Sequence, residues 1–296
     1  MTTKLAPPGA ALMHDALRLR DTLGLSNREA RSEAELLLVR ALNITRARLI
    51  AEPGLAAEAK TNATYGQWLK RRLAGEPIAY ILSAREFYGH VFTVTPDVLI
   101  PRPETELLVD MALERIPPDA DMTVLDLGTG SGAIAITIAL QRPHVRVVGL
   151  DASAASLRVA KLNCERLLGN SDRLSLVHSD WFDALAGTTF DMIVSNPPYV
   201  AEGDTHLSKG DIRFEPRQAL LGGPGGLDAL ERITRVAPRH LAAGGWLLCE
   251  HGYDQAEAVK QMLIGAGLCD VVSERDLAGV LRVSGGRRLT RSVGTG

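Results

Sequence analysis

Asn196-Pro197-Pro198-Tyr199 closes the apolar run 190–195 and offers more chemistry than any other short segment of the chain. Proline fixes φ at about −65° and disfavours the helical region for the residue before it, so Asn196 and Pro197 are both driven toward extended backbone. Neither Pro197 nor Pro198 has an N–H, and the corner is therefore a poor continuation of a sheet ladder. Its carbonyls and the Asn196 side-chain oxygen are left for another partner. A planar amine or amide, offering N–H donors to those oxygens and a flat face to Tyr199, suits the arrangement. Asn-Pro and Pro-Pro are also ordinary turn punctuation, so the tetrapeptide needs support from elsewhere in the chain.

That support lies at the ends of three other apolar runs. The segment 124–132 is a buried strand running through Asp126 into the loop Gly128-Thr129-Gly130-Ser131-Gly132 and then an apolar helix, 133–140. The three glycines permit positive φ and close approach of a ligand to the backbone. The helix start adds N–H groups and partial positive charge suited to a carboxylate or phosphate. The spacing G-x-G-x-G differs from the dinucleotide pattern G-x-G-x-x-G. A second strand ends at Asp151, about 20 residues beyond the loop, where an acid can accept both hydroxyls of a ribose. A third ends at Ser179-Asp180-Trp181-Phe182, where Asp180 can accept from an adenine amino group and Trp181 can stack on its ring. Taken singly, each acid is equally a solvated strand end and Trp181 a core aromatic. Four consecutive strand ends with suitable groups place one ligand site outside the carboxyl ends of an open α/β sheet.

The elements that must position these groups follow from the rest of the chain. Its 296 residues suggest about two domains, and 46% hydrophobic with 23% charged residues describes an ordinary globular protein. Cys164, Cys249 and Cys269 are far apart, which argues for a reducing cytosol and against structural zinc, and the seven histidines have no metal-ligand spacing. No signal-peptide core and no run of about 18 apolar residues is present, so the expected location is cytoplasmic, or else an organelle matrix, with no membrane partner. Residues 1–85 carry thirteen Lys/Arg against eight Asp/Glu, a balance of +5, and the remainder stands at −7. A mildly basic front module suits docking on an acidic or ribonucleoprotein-associated partner, or is simply a solvated helical surface.

Leu12, Ala16, Leu19 and Leu23, then Ala30, Ala34, Leu37 and Ala41, recur at helical spacing. Ser26-x-x-Glu29 has the form of a capping box, Thr45 can cap a short helix ending before Pro53-Gly54, and 56–73 supplies another helix. Gly89 among aromatic and β-branched residues predicts a hairpin. From Thr123 onward strands are expected at 123–127, 145–150, 174–178, 190–195, 246–250, 270–273 and 280–284. Helices are expected between the first five, giving a parallel sheet covered on both faces. The last two strands are close together, so one is expected to run antiparallel at an edge, and the tail 287–296 is expected to fray. The domain reading is a helical substrate-docking module at 1–84, a hairpin linker at 85–98 and a catalytic domain at 99–296.

These residues closely resemble the HemK/PrmC family of S-adenosylmethionine-dependent glutamine N5-methyltransferases. The resemblance runs over nearly the whole chain. It includes Phe87-Tyr88-Gly89, Pro101-Arg102-Pro103-Glu104-Thr105-Glu106, the loop 126–132 and Asp180-Trp181-Phe182. It continues through Asn196-Pro197-Pro198-Tyr199, Phe214-Glu215-Pro216, Ala219-Leu220, Glu250-His251-Gly252 and 275–279. Phe214 stands where family members often have Tyr, and Pro224-Gly225-Gly226 replaces a Gly-Gly-x-Asp-Gly-like turn. The resemblance implies a Rossmann-like, seven-stranded α/β methyltransferase domain, with a small N-terminal helical bundle and a connecting hairpin. It further implies methylation of the glutamine amide in the Gly-Gly-Gln motif of class I peptide-chain release factors, with S-adenosylhomocysteine as product.

On this reading the cofactor is held by Gly128, Thr129, Gly130, Ser131, Gly132, Asp151, Asp180, Trp181 and Asn196. Asn196 and Pro197 accept the two amide hydrogens of the substrate glutamine, and Tyr199 with Pro198 sandwiches the amide. Thr105 or Glu106 either caps the next helix or belongs to a lid over the cofactor's methionine end. Glu250 is either a site wall or a strand-end charge. No metal, no direct nucleic-acid contact and a monomer are expected. Two rivals remain. A base amino-methyltransferase would need a cationic strand-binding surface, against which the −7 balance stands. A cofactor-binding adaptor would have no evident need for amide acceptors beside a methyl donor.

Overall fold

The computed structural model describes residues 10–290 except Thr61 and Asn170, so most of the predicted frayed tail lies outside the described residues. The chain forms two compact units. One runs to Ser83 and includes Ser208–Phe214, a segment that the sequence reading assigned to the catalytic domain. The other comprises Ala84–Leu207 and the chain from Glu215 onward.

The first unit is helical: α1 (Ala10–Leu23), α2 (Asn27–Leu42), α3 (Arg46–Ala51), α4 (Ala63–Leu73) and α5 (Ile78–Leu82). Leu19, Leu37, Leu38 and Tyr65 make its core. Local chemistry sets the helix starts. The Ser26 hydroxyl accepts from the Glu29 N–H while Glu29 accepts from the Ser26 N–H, completing the capping box. The Thr45 hydroxyl accepts from Arg48 N at 3.2 Å. The helix expected over 56–73 is instead divided: Pro53–Lys60 is a 3-10 segment, and α4 starts afresh where Asn62 Oδ1 accepts from Tyr65 N at 2.9 Å. Arg72 is buried and paired with Glu33 and Asp211, so its charge is not stranded.

In the second unit β1 (Ala84–Phe87) and β2 (His90–Thr93) form the predicted hairpin. Its turn residues Tyr88 and Gly89 both have positive φ, as a two-residue turn between twisted strands requires. Next come α6 (Glu106–Arg115), β3 (Thr123–Leu127), α7 (Ala133–Gln141), β4 (Arg146–Asp151), α8 (Ala154–Leu168), β5 (Leu174–His178) and β6 (Phe190–Ser195). The chain closes with α9 (Asp228–Val236), β7 (Leu241–Glu250), α10 (Ala256–Gly265), β8 (Leu268–Arg275) and β9 (Leu281–Arg288).

Seven strands form one sheet in the order β5-β4-β3-β6-β7-β9-β8, the first five parallel. Period-two alternation sends Val124 to the core on one face and Leu125 and Leu127 to the core on the other. Three expectations are corrected. No helix lies between β5 and β6, where 179–189 cross as turns. The antiparallel strand is not at the edge: β9 runs against both β7 and β8, and β8 is outermost. A Cβ on Gly285 would lie 2.4 Å from a Leu248 methyl, so the absent side chain lets β9 seat between its neighbours. Finally, Arg287 and Arg288 belong to β9 and not to a frayed tail.

From β3 the chain steps outward to β4 and β5, then returns to β6 on the other side of β3. That reversal opens a crevice at the carboxyl ends of β3 and β6, where an open α/β sheet binds its ligand. The Asn196 corner begins directly after β6. Both proline bonds there are trans, since no described residue follows a cis peptide bond.

The corner is braced from behind by the turn 222–228. Gly222 N donates to Val200 O at 2.9 Å, and Gln255 Nε2 bridges the carbonyls of Tyr199 (3.0 Å) and Gly226 (3.2 Å). A Cβ on Gly226, at φ +73°, would sit 2.4 Å from Tyr199 O. Gly203 has a similar φ of +84° but open space around it. Gly226→Ala should therefore cost about 1–3 kcal/mol of overpacking beyond the backbone cost that Gly203→Ala also carries. Chemical denaturation of the two variants measures this difference, and equal losses would contradict it.

Candidate active site

A cavity of about 420 Å³ lies at the carboxyl ends of the parallel strands. Of the predicted residues, Gly128, Gly130, Asp151, Trp181, Asn196 and Pro198 line it. The structure thus brings together four strand ends that are remote in sequence. The volume is within the usual range for small-molecule sites.

The glycine loop works differently from a phosphate cradle. Gly128 and Thr129 direct their N–H groups to Leu150 O, and Gly132 donates to Thr129 O. Gly130 N donates to Asp151 Oδ2 at 2.9 Å, while Ser153 N donates to Asp151 Oδ1 at 2.8 Å. These loop N–H groups are therefore committed inside the protein, and they aim the Asp151 carboxylate. Each Asp151 oxygen holds one backbone donor and keeps a lone pair for another. Burial raises the Asp151 carboxyl above its ordinary value, partly offset by the Ser153 and Gly130 hydrogen bonds.

Thr129, Ser131 and Gly132 support the loop from outside the cavity wall. The Thr129 hydroxyl donates to buried Asp126 at 2.7 Å, and Ser131 O accepts from Asn163 Nδ2 at 2.9 Å. Gly132 caps α7 at φ +82°, where a Cβ would meet Ile136 at 2.8 Å. Asp126 also accepts from Ala135 N at 3.2 Å, and burial pushes its carboxyl up to about 7. It ties the loop to the first turn of α7.

Asp180 is turned to solvent, where its carboxylate pairs with Arg232 at 3.0 Å. Its neighbours Ser179 and Trp181 line the cavity, as does Arg232. Trp181 has φ +51°, an uncommon backbone state for a bulky side chain. The Ser179 hydroxyl holds this turn by donating to Trp181 O at 3.0 Å and accepting from Ala184 N at 3.0 Å. Asp97, Leu99, Gln218, Ala219 and residues 221–223 complete much of the wall and were not foreseen as site residues. Only the Ala219-Leu220 motif hinted at them.

Pro197 and Tyr199 are not in the cavity wall. Tyr199 donates its hydroxyl to Glu250 Oε1 at 3.1 Å, and burial raises the phenol well above its ordinary value. Asn196 Nδ2 donates to Thr105 Oγ1 at 3.1 Å. Asn196 Oδ1 is buried with no hydrogen-bond partner among the described residues. The motif segment 101–106 thus meets the Asn196 corner through Thr105, which stands at the N-cap position of α6 but makes no side-chain capping hydrogen bond there. Arg102 anchors the same segment by an ion pair with buried Glu215, which also accepts from Ile100 N at 3.1 Å. Glu106 is directed elsewhere, to Tyr88 N at 2.8 Å.

Glu250, at the end of β7, is buried, and burial pushes its carboxyl up to about 7. The hydrogen bond from the Tyr199 hydroxyl and the charge of Arg282 oppose the rise, and Glu104 adds to it.

Residues 104–221 match the profile described as "Methyltransferase small domain", and residues 18–82 match "PrmC N-terminal domain". The release factor glutamine methyltransferase of Bordetella pertussis is 51% identical over 272 residues, covering 90% of this chain and 98% of that protein. Its counterpart from Burkholderia pseudomallei is 48% identical over 290 residues, covering 97% and 98%. A solved methyltransferase from Pyrococcus furiosus shares the fold, with a TM-score of 0.51 at 19% identity over 76% of this chain and 99% of that one.

The raised Glu250 carboxyl has a consequence for stability. An unfolded glutamate ionises near its ordinary value of 4.5, while the folded one holds its proton until about 7. The penalty is absent below the unfolded value, grows as pH rises between the two, and is complete above the folded value. Relative to the wild type, Glu250→Gln should therefore gain roughly 3 kcal/mol of stability between pH 4 and pH 8. Denaturant midpoints at the two pH values measure this, and a pH-independent difference would contradict it.

Proposed function

The chain belongs to the release factor glutamine methyltransferase family, and on that footing we propose that it methylates the side-chain amide nitrogen (N5) of the glutamine in the Gly-Gly-Gln motif of class I peptide-chain release factors. S-adenosylmethionine is the methyl donor, S-adenosylhomocysteine the product, and translation termination the process modulated. The observation that carries this reading is the buried, unpartnered Asn196 Oδ1 on a cavity-lining residue. Buried polar atoms nearly always have partners, so an acceptor left bare here is matched to a donor from outside the chain.

The cavity fits the donor molecule. Asp151, with one backbone N–H on each oxygen, is oriented to accept ribose hydroxyls. Trp181 supplies a flat apolar wall, Gly128 and Gly130 allow close approach, and Asp180 acts at the rim through Arg232. Thr129, Ser131 and Gly132 keep the loop in shape. When bound, S-adenosylmethionine supplies an electrophilic methyl group.

The task of the chain's own residues lies with the acceptor. An amide nitrogen is a poor nucleophile because its lone pair is conjugated with the carbonyl. Asn196 Oδ1 and the Pro197 carbonyl each accept one N–H of the glutamine amide, with Pro198 and the Tyr199 ring against its faces. Two acceptors on the two hydrogens fix the nitrogen and stabilise positive charge developing on it. Holding the reacting atoms about 3–3.5 Å apart supplies much of the rate. The basic helical module, residues 1–84, docks the protein substrate, and the methylated amide releases its proton to water.

Incubation with labelled S-adenosylmethionine, a release factor and its Gln→Ala variant tests the reaction. Label is expected only on the glutamine-containing factor; label on nucleic acid or nowhere would overturn the reading. Asn196→Ala should lower turnover about 10²- to 10³-fold with little change in S-adenosylmethionine affinity. Asp151→Ala should weaken that affinity by about 10- to 100-fold, through loss of charge-assisted hydrogen bonds. Isothermal titration beside single-turnover rates separates these two effects.

A further inference from the structure

We propose that Arg232 is a positioning residue for the cofactor: reaching from α9, it holds the turn 179–184 in the conformation that presents Trp181 to the cavity. The inference rests on the cofactor half of the reading above and assigns a role to a cavity-lining residue which that reading leaves at the rim.

β5 ends at His178, and the next three residues decide what this part of the cavity wall is made of. Ser179 and Trp181 line it, while Asp180 pairs with Arg232 on the solvent side. Trp181 holds φ +51°, and a bulky side chain persists in that region only where its surroundings over-determine it. Inside the turn the Ser179 hydroxyl donates to Trp181 O and accepts from Ala184 N, both at 3.0 Å. Phe182 is buried and stacks on the His240 ring, with centroids 5.0 Å apart and planes at 21°. The peptide unit leading into Trp181 is held by the Asp180 carbonyl. It accepts from Asp183 N at 3.3 Å and from Arg232 Nη2 at 3.4 Å.

That carbonyl matters because Asp180 C=O and Trp181 N–H share one rigid plane. A peptide flip that carries Trp181 out of positive φ turns the carbonyl away from both donors. Arg232 adds Asp180 Oδ2 at 3.0 Å through Nη1 and Asp183 Oδ1 at 3.4 Å through Nη2. Its planar fork therefore grips the turn on both sides of Trp181, which a single point charge cannot do. α9 is a firm base for the grip, since Leu230 and Ile233 are fully buried in the core. Asp228 and Ala229 on the same helix also line the cavity, so Arg232 joins two walls of one site. The side chains of Arg232, Asp180 and Asp183 are 36%, 57% and 69% exposed, so water screens these contacts and the grip is modest.

Calorimetric titration of the cofactor-free protein with S-adenosylmethionine and S-adenosylhomocysteine tests the proposal. Arg232→Gln should raise both Kd values by about 3- to 10-fold, and the difference should shrink as salt rises from about 0.05 to 0.5 M. The single-turnover methylation rate at saturating cofactor should stay within about twofold of wild type, since Arg232 touches no reacting atom. Asp180→Asn combined with Asp183→Asn weakens the same grip from the other side and should act in the same direction. It carries the test should Arg232→Gln fail to fold. Without cofactor, Arg232→Gln should also increase acrylamide quenching of tryptophan fluorescence. That increase should vanish when Trp181→Phe leaves Trp68 and Trp246 as the remaining tryptophans.

The decisive readout is a double-mutant cycle with Trp181→Ala, which alone should raise Kd by about 5- to 100-fold through lost stacking. In that background Arg232→Gln should add less than about twofold. A full additional loss would mean that Arg232 meets the cofactor directly, and wild-type Kd in Arg232→Gln would mean that Trp181 keeps its place unaided. Either result overturns the proposal. A wild-type protein that binds no S-adenosylmethionine would sink both this proposal and the parent reading. One that binds it without methylating the glutamine would sink the substrate half of that reading alone, and the titrations would still decide the role of Arg232.

Discussion

Everything chemical in this protein depends on one constraint: a hydrogen-bond acceptor, Asn196 Oδ1, is held buried and without a donor among the described residues. Such an atom is costly, and a fold tolerates it only where neighbours over-determine its position. Here the neighbours are identifiable. Two prolines stiffen the corner, the 222–228 turn packs behind it so closely that two glycines are needed, and Thr105 occupies the amide's donating end. Arg102 and Glu215 pin the segment that carries Thr105. The site is therefore built from loops, but from loops cross-linked by buried charge and by backbone contacts too close for a side chain.

The sheet provides the second requirement, convergence. Parallel strands deliver all their carboxyl ends to one edge, and the reversal of strand order between β3 and β6 leaves the crevice there uncovered. The glycine loop then serves geometry more than ligand charge. Its N–H groups hold Leu150 O and the Asp151 carboxylate, so the loop orients an acid where a pyrophosphate-binding loop would offer those donors to its ligand. This explains in physical terms why the G-x-G-x-G spacing departs from the dinucleotide pattern.

Much of this was legible in the sequence because it rests on local rules. Apolar runs located the seven strands, capping residues located α2 and α3, and the prolines after β6 marked the corner. Contacts between distant segments were less accessible. Nothing local indicates that Thr105 meets Asn196 or that Tyr199 meets Glu250, because these pairs come together only when the sheet forms. The Gly285-Gly286 pair was a readable sign that β9 lies inside the sheet, yet proximity of the last two strands suggested an edge. Asp180 and Trp181 are adjacent, and only the turn conformation decides which of them reaches the cavity. The split of 56–73 into a 3-10 segment and α4 turned on the Asn62 cap, a signal outweighed by helical periodicity on both sides.

The central claim concerns a distance, and a structure can measure it. In a crystal of the protein with S-adenosylhomocysteine and a glutamine-bearing Gly-Gly-Gln peptide or release factor, Asn196 Oδ1 should lie within roughly 2.7–3.2 Å of the substrate amide nitrogen, while Nδ2 stays on Thr105. A bound glutamine whose nitrogen contacts other groups, with the Asn196 carboxamide reversed or its oxygen still unpaired, would contradict the account.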